Sequence, residues 1–169
     1  KIYGALENSA DYLPVLDPTS HSTEQVTVFP EDPNYVREPQ TAMATSPYWG
    51  DEEIWDAATT VHNPMMDSDG RVWITSRARD PSNVPAFCQE GSDHPSAQAF
   101  PLGRSGRHLG VYDPSTDTYT PINTCFGTHH LMFAEDADNT LWTSGGGTAV
   151  GWLNTREFLE TGDAVAAQG

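Results

Sequence analysis

Two segments of this chain repeat the same order of residue types. Residues 62–77 have the sequence HNPMMDSDGRVWITSR, and residues 130–145 have the sequence HLMFAEDADNTLWTSG. Each has a short apolar run, an Asp-containing turn, and then an apolar residue, a Trp and a Thr or Ser. Asp, Asn and Gly in such turns tolerate positive φ or close Asx turns, so both segments predict β-hairpins. Trp73 and Trp142 then occupy equivalent positions.

A second element of the sequence also recurs. Residues 12–29 and 108–123 both contain apolar-x-Val-apolar-Asp-Pro, followed by a polar turn and an alternating strand, and residues 150–155 repeat it with Asn154 in the place of Asp. Pro fixes its own φ and Asp accepts hydrogen bonds from nearby amides, so Asp-Pro starts a turn. Residues 1–4 resemble the strand that contains Trp in the other units. One unit therefore has four short antiparallel strands, which is typical of a β-propeller blade.

These repeats predict an all-β fold with two to three propeller blades, each a four-stranded antiparallel sheet. Propellers close with about four to eight blades, so we expect a larger ring whose remaining blades come from the same longer polypeptide or from other chains. The alternative is a compact all-β domain such as an open sandwich. The tail allows one or two helical turns that start from Thr155 as the cap and are interrupted by Gly162. The predicted segments are a partial blade 1–29, a loop 30–60, a blade 61–123 with an insertion 77–107, a blade 128–155 and a tail 156–169.

The repeat resembles the blades of the streptogramin B lyase (virginiamycin B lyase) family. Blades of that family have His-x-apolar-x-x-x-x-Asp-Gly-x-apolar-Trp-x-Thr, followed by apolar-Gly-x-apolar-Asp-Pro. The matching residues are 62–75, 109–114 and 130–143. The resemblance implies an elimination reaction in which a histidine at the mouth of the central channel acts with a metal ion. By position it implies His130 as the base, and His62 or His129 as a metal ligand or partner.

The charge of the chain limits its partners. It has 24 Asp and Glu against 8 Lys and Arg, a net charge of −16. Such a surface repels phosphates and anionic lipids, so nucleic acid is not expected as a partner. No stretch approaches the ~18 consecutive apolar residues of a spanning helix, so membrane insertion is not expected either.

The chain has 2 cysteines, Cys88 in the predicted insertion and Cys125 at the end of the same unit. The favoured interpretation is a disulfide that ties the insertion to the sheet, which implies an oxidising compartment, either periplasmic or extracellular. Two free buried thiols are the alternative. Metal ligation has little support, because the sequence has no CxxC spacing.

Histidines begin the first strand of two successive units. His62 holds this position in one unit, and His129 or His130 holds it in the next. Because the first strand lines the channel of a propeller, we expect these imidazoles to form a catalytic pair or to bind a divalent ion such as Mg, Ca or Cu. Neighbours in a strand point to opposite faces, so His129 and His130 are expected to diverge unless a bulge intervenes. The alternative role is hydrogen bonding to a neighbouring sheet.

The long loops are the expected sites for a small-molecule or saccharide ligand. Trp49 and Trp55 lie in the loop 30–60, and His94 lies in the insertion 77–107. Alternatively, the two Trp side chains form the core of their own loop and His94 is an ordinary surface residue. Three functions remain open: an exported lyase-like enzyme, a copper-dependent propeller oxidoreductase, and a noncatalytic binding or scaffold propeller.

Overall fold

A computed structural model describes residues 1–7, 10–35, 48, 50–51, 57–99, 106–145 and 149–169. Most of the regular structure is β, in three antiparallel sheets, as the all-β prediction requires. Among the described residues only the second sheet has the four strands predicted for each blade, and the first and third sheets have three each. The first sheet contains β1 (Ile2–Tyr3), β2 (Tyr12–Asp17) and β3 (Ser22–Thr27). The second sheet contains β4 (His62–Met66), β5 (Val72–Ser76), β6 (His108–Asp113) and β7 (Thr118–Ile122). The third sheet contains β8 (His130–Phe133), β9 (Leu141–Ser144) and β10 (Val150–Leu153).

Strand register confirms that the two Trp residues are equivalent. Trp73 pairs with Met65 on one side and with Val111 on the other. Trp142 likewise pairs with Met132 and with Trp152. In the first sheet Tyr3 pairs with Val15, so Tyr3 has the place that Trp occupies in the other sheets.

The sheets pack face to face in chain order. One core joins the first and second sheets, through residues such as Leu13 and Tyr3 against Val72 and Ile74. A second core joins the second and third sheets, where Trp73 and Val111 lie with Leu131 and Leu141. Alternate residues of a strand face opposite sides, so the middle sheet has one face in each core.

The indole of Trp73 is fully buried, and its Nε1 donates to Oδ2 of Asp67 at 2.9 Å. The other carboxylate oxygen of Asp67 accepts from the amides of Asp69 and Arg71, both at 2.9 Å. The Asp-rich turn therefore satisfies the polar atom that the Trp brings into the core.

The C-terminal tail completes the third sheet. Helix α2 (Thr155–Thr161) is capped by Asn154, whose side chain accepts from the amide of Glu157, so the expectation that Thr155 is the cap is wrong. The hydroxyl of Thr155 instead donates to the carbonyl of Asn139 at 2.8 Å. Gly162 ends the helix with φ 73°. Residues 167–169 then return beside β10, where the amide of Trp152 donates to the carbonyl of Gly169 at 2.8 Å.

The insertion between β5 and β6 carries a 3-10 helix (Ala86–Cys88) and the short helix α1 (Pro95–Ala99). Cys88 and Cys125 form a disulfide, as predicted, and this disulfide attaches the insertion to the end of the second sheet. Within the described ranges, no helix is both long and apolar enough to cross a membrane.

Replacing Cys88 and Cys125 together by alanine should lower the free energy of unfolding by about 4 kcal/mol, because the crosslink closes a loop with a sequence separation of 37. Urea unfolding followed by circular dichroism measures the change, and the unmodified chain in a reducing agent is the matched control. A loss under about 1 kcal/mol in both samples would contradict a stabilising role for the crosslink.

Candidate metal centre

Three histidines from two sheets meet at one end of the molecule. His62 is the first residue of β4, His130 is the first residue of β8, and His129 directly precedes β8. One ring nitrogen from each of the three lies within 4.8 Å of the others. The rings of His62 and His129 are stacked, with centroids 4.7 Å apart and planes 12° apart. The predicted proximity of histidines from successive units is therefore found.

His129 and His130 both face the cluster, contrary to the expectation that they diverge. Their ring centroids are only 4.1 Å apart. The reason is that His129 lies just outside β8, so the alternation of a strand does not govern its direction. A backbone irregularity occurs instead on the other strand, where the register shifts between His62 and Met65 and Asn63 has φ 49°.

A buried hydroxyl lies between the two strand starts. Oγ1 of Thr75 on β5 is 3.2 Å from the carbonyl oxygen of His62 and 3.2 Å from that of His129. Thr75 is fully buried, and its backbone pairs with His62. The hydroxyl thus connects the backbones of two sheets at the point where the imidazoles project.

Close packing of two glycines also positions His129. A Cβ added at Gly145, after β9, would lie 1.9 Å from the carbonyl oxygen of Gly127. Only glycine permits this approach. Gly145 therefore lets the backbone after β9 pass close to the segment that precedes His129.

Two charged residues at the cluster were not predicted. Oε2 of Glu7 lies 3.6 Å from Nδ1 of His62, and its other oxygen accepts from Nη2 of Arg107. Glu7 follows β1 and Arg107 precedes β6. In an antiparallel sheet, the second strand ends and the third strand begins at the edge where the first strand starts. β1 has the place of a second strand and β6 is a third strand, so Glu7 and Arg107 lie at the same edge as His62. Strand topology was therefore the signal available for both residues.

The surroundings of His62 lower its pKa. Burial is the main cause, and the charges of Arg107 and the two other histidines act in the same direction, whereas Glu7 opposes them. Folding thus disfavours the imidazolium form of His62. The folded state therefore has its full stability above the ordinary histidine pKa, and it loses part of that stability as the pH falls toward the lowered pKa of His62. Burial raises the pKa of Glu7, but the hydrogen bond and charge of Arg107 outweigh it and leave this pKa lowered.

Neutral imidazoles at this separation are suitable ligands for a transition metal. Oε2 of Glu7 lies 3.6 Å from Nδ1 of His62, so one nitrogen of that ring faces a carboxylate. The side chain of His62 is 27% exposed, and His129 and His130 are exposed. The cluster is therefore open to solvent on the side of the adjacent pair.

His94, another predicted ligand-binding residue, does not join this cluster. Nε2 of His94 lies 2.9 Å from the carbonyl oxygen of Val165, and its ring packs edge-on against Phe87 with centroids 5.2 Å apart. His94 thus connects the insertion to the C-terminal tail. Trp49 and Trp55 lie outside the described residues.

Comparison of the sequence with protein-family models and with curated proteins, and of the fold with solved structures, finds no match.

Replacing Glu7 by glutamine should lower the pKa of His62 further, because the carboxylate favours the imidazolium. A histidine NMR titration of the metal-free protein measures this shift. Glu24→Gln, which removes an exposed carboxylate paired with Lys1, is the matched control and should leave the His62 resonance unchanged. A rise in the His62 pKa in Glu7→Gln would contradict the assigned contact.

Proposed function

We propose that this chain belongs to an exported, lyase-like β-propeller enzyme in which His62, His129 and His130 bind one divalent metal ion. The observation that carries the proposal is the convergence of three imidazoles from two sheets, with ring nitrogens within 4.8 Å. The three packed sheets and the resemblance to streptogramin B lyase blades support the propeller. The disulfide supports export, since such crosslinks persist in oxidising compartments.

The ligand set favours zinc or copper. Imidazole suits these ions, whereas Mg and Ca prefer oxygen ligands. Tetrahedral zinc, with Zn–N bonds of about 2.0 Å, needs ligand nitrogens about 3.3 Å apart. The ring nitrogens lie within 4.8 Å of one another, and His129 and His130 are exposed, so the proposal requires their rings to turn toward the ion on binding.

The residues around the cluster have distinct proposed roles. Glu7 orients His62 through Nδ1, as carboxylates commonly do behind a metal-bound histidine. Arg107 balances the charge of Glu7 and places a cation beside the site, where it favours a substrate with a carbonyl or carboxylate oxygen. A bound ion supplies Lewis acidity toward such a carbonyl. The exposed side of the cluster admits a small molecule or a saccharide.

The role of His130 depends on how many rings hold the ion. A ring that ligates metal does not also accept a proton, so His130 is the base only where His62 and His129 hold the ion without it. The adjacent pair also keeps the copper oxidoreductase as a second candidate, since imidazoles suit copper equally well. A noncatalytic binding or scaffold propeller is expected to need no metal at this cluster.

Metal titration tests the site. The wild-type chain should bind one zinc ion, measured by isothermal titration calorimetry, and His62→Asn, His129→Asn or His130→Asn should each weaken binding at least about tenfold. His21→Asn is the matched control, because His21 is an exposed turn residue with φ 57° and asparagine tolerates a positive φ. More than one copper ion per chain would favour the oxidoreductase, and unchanged affinity in all three variants would contradict the site.

The elimination reaction is tested with a panel of esters, lactones and uronate-containing saccharides. We expect the metal-loaded protein to produce a conjugated carbonyl, detected by its ultraviolet absorbance, and a chelator to abolish the signal. If His130→Asn keeps one zinc ion but loses turnover, His130 is the base; if it loses the ion, it is a ligand. Metal binding without product from any member of the panel would count against the lyase assignment.

A further inference from the structure

One face of the third sheet carries exposed apolar side chains. Met132 is 69% exposed, Trp142 42% and Val150 58%. Met132 pairs with Trp142, which in turn pairs with Trp152, so their side chains form a row across the sheet. Exposed apolar side chains grouped in this way are typical of an interface.

The first sheet also carries exposed apolar side chains, on its face at the other end of the stack. Ile2 is 58% exposed and Leu16 is 41% exposed. The two residues pair directly across β1 and β2, so they lie on one face. Tyr3 and Leu13, on the opposite face of this sheet, belong to the core shared with the second sheet.

These two faces correspond to faces that are covered elsewhere in the molecule. Trp73 has the register position of Trp142, yet it is fully buried because the third sheet lies against it. The pair Val72 and Tyr112 has the register position of Ile2 and Leu16, and it is buried at 1% and 7% exposure under the first sheet. The same kind of interface is therefore formed twice within the chain, and one half of it is left at each end.

We infer that a second copy of this chain occupies these faces, with the Trp142 face of one copy against the Ile2–Leu16 face of the other. Because the two halves differ, the contact is head-to-tail rather than self-complementary, and two such contacts close a dimer. Two copies contribute six sheets, a number within the range of about four to eight that closes a propeller. The inference rests on the proposed propeller fold, but it does not depend on metal binding.

Sedimentation equilibrium of the full chain tests this pairing, at salt high enough to screen the net charge of −16 on each copy. We expect a concentration-dependent species of twice the 18.5 kDa chain mass. Trp142→Asp or Leu16→Asp should each shift the mass to the monomer. Leu159→Asp is the matched control, because Leu159 is 41% exposed on α2 and lies on neither face.

A mixing experiment tests the head-to-tail arrangement. Trp142→Asp keeps its first-sheet face and Leu16→Asp keeps its third-sheet face, so an equimolar mixture should regain one intact interface and form a heterodimer. Circular dichroism establishes that each variant is folded, and Val150→Asp replaces Trp142→Asp if that variant is not.

Two results would overturn the inference. One is a monomeric wild-type chain over the whole concentration range, which would leave these faces to another polypeptide. The other is dissociation by Trp142→Asp with no effect of Leu16→Asp, which would indicate that two third sheets pair with each other. Neither result bears on the zinc titration, which measures the histidine cluster alone.

Discussion

The packing of Trp73 against the third sheet determines the separation of the strands that carry the histidines. The indole is fully buried, and its only polar atom is satisfied by Asp67 within the same hairpin. Removing a buried Trp from a core typically costs about 3–5 kcal/mol, so this contact holds β4 and β8 close together. The position of the imidazoles is thus a consequence of core packing, and it does not require a bound ion.

Rigid backbone elements then bring the rings within reach of one another. Thr75 lies between the carbonyl oxygens of His62 and His129, while Gly145 allows the segment before His129 to approach β9. Neither contact uses an imidazole nitrogen. These two contacts are therefore compatible with the proposed ion at the ring nitrogens, and Oε2 of Glu7 lies 3.6 Å from Nδ1 of one of those rings, His62.

The repeats predicted the strands, the equivalence of the Trp residues and the proximity of His62 to the His129–His130 pair, because each depends on periodic side chains. Glu7 and Arg107 were missed because they lie in connections without repeat character, and only the antiparallel order of the strands brings them to the cluster. The cap of α2 was misassigned to Thr155 because Asn and Thr are both good caps and are adjacent here. The divergence expected for His129 and His130 failed because it assumed that both lie inside the strand.

The excess of carboxylates acts in opposite directions on the two kinds of association proposed for this chain. A net charge of −16 raises the local concentration of divalent cations, which favours occupation of an exposed imidazole cluster by metal. The same charge repels a second copy, so contact between copies depends on apolar burial at Trp142 and Leu16 and strengthens as salt screens the repulsion. Salt therefore separates the two processes, because it weakens the attraction of the ion to the surface and favours the pairing of the sheets.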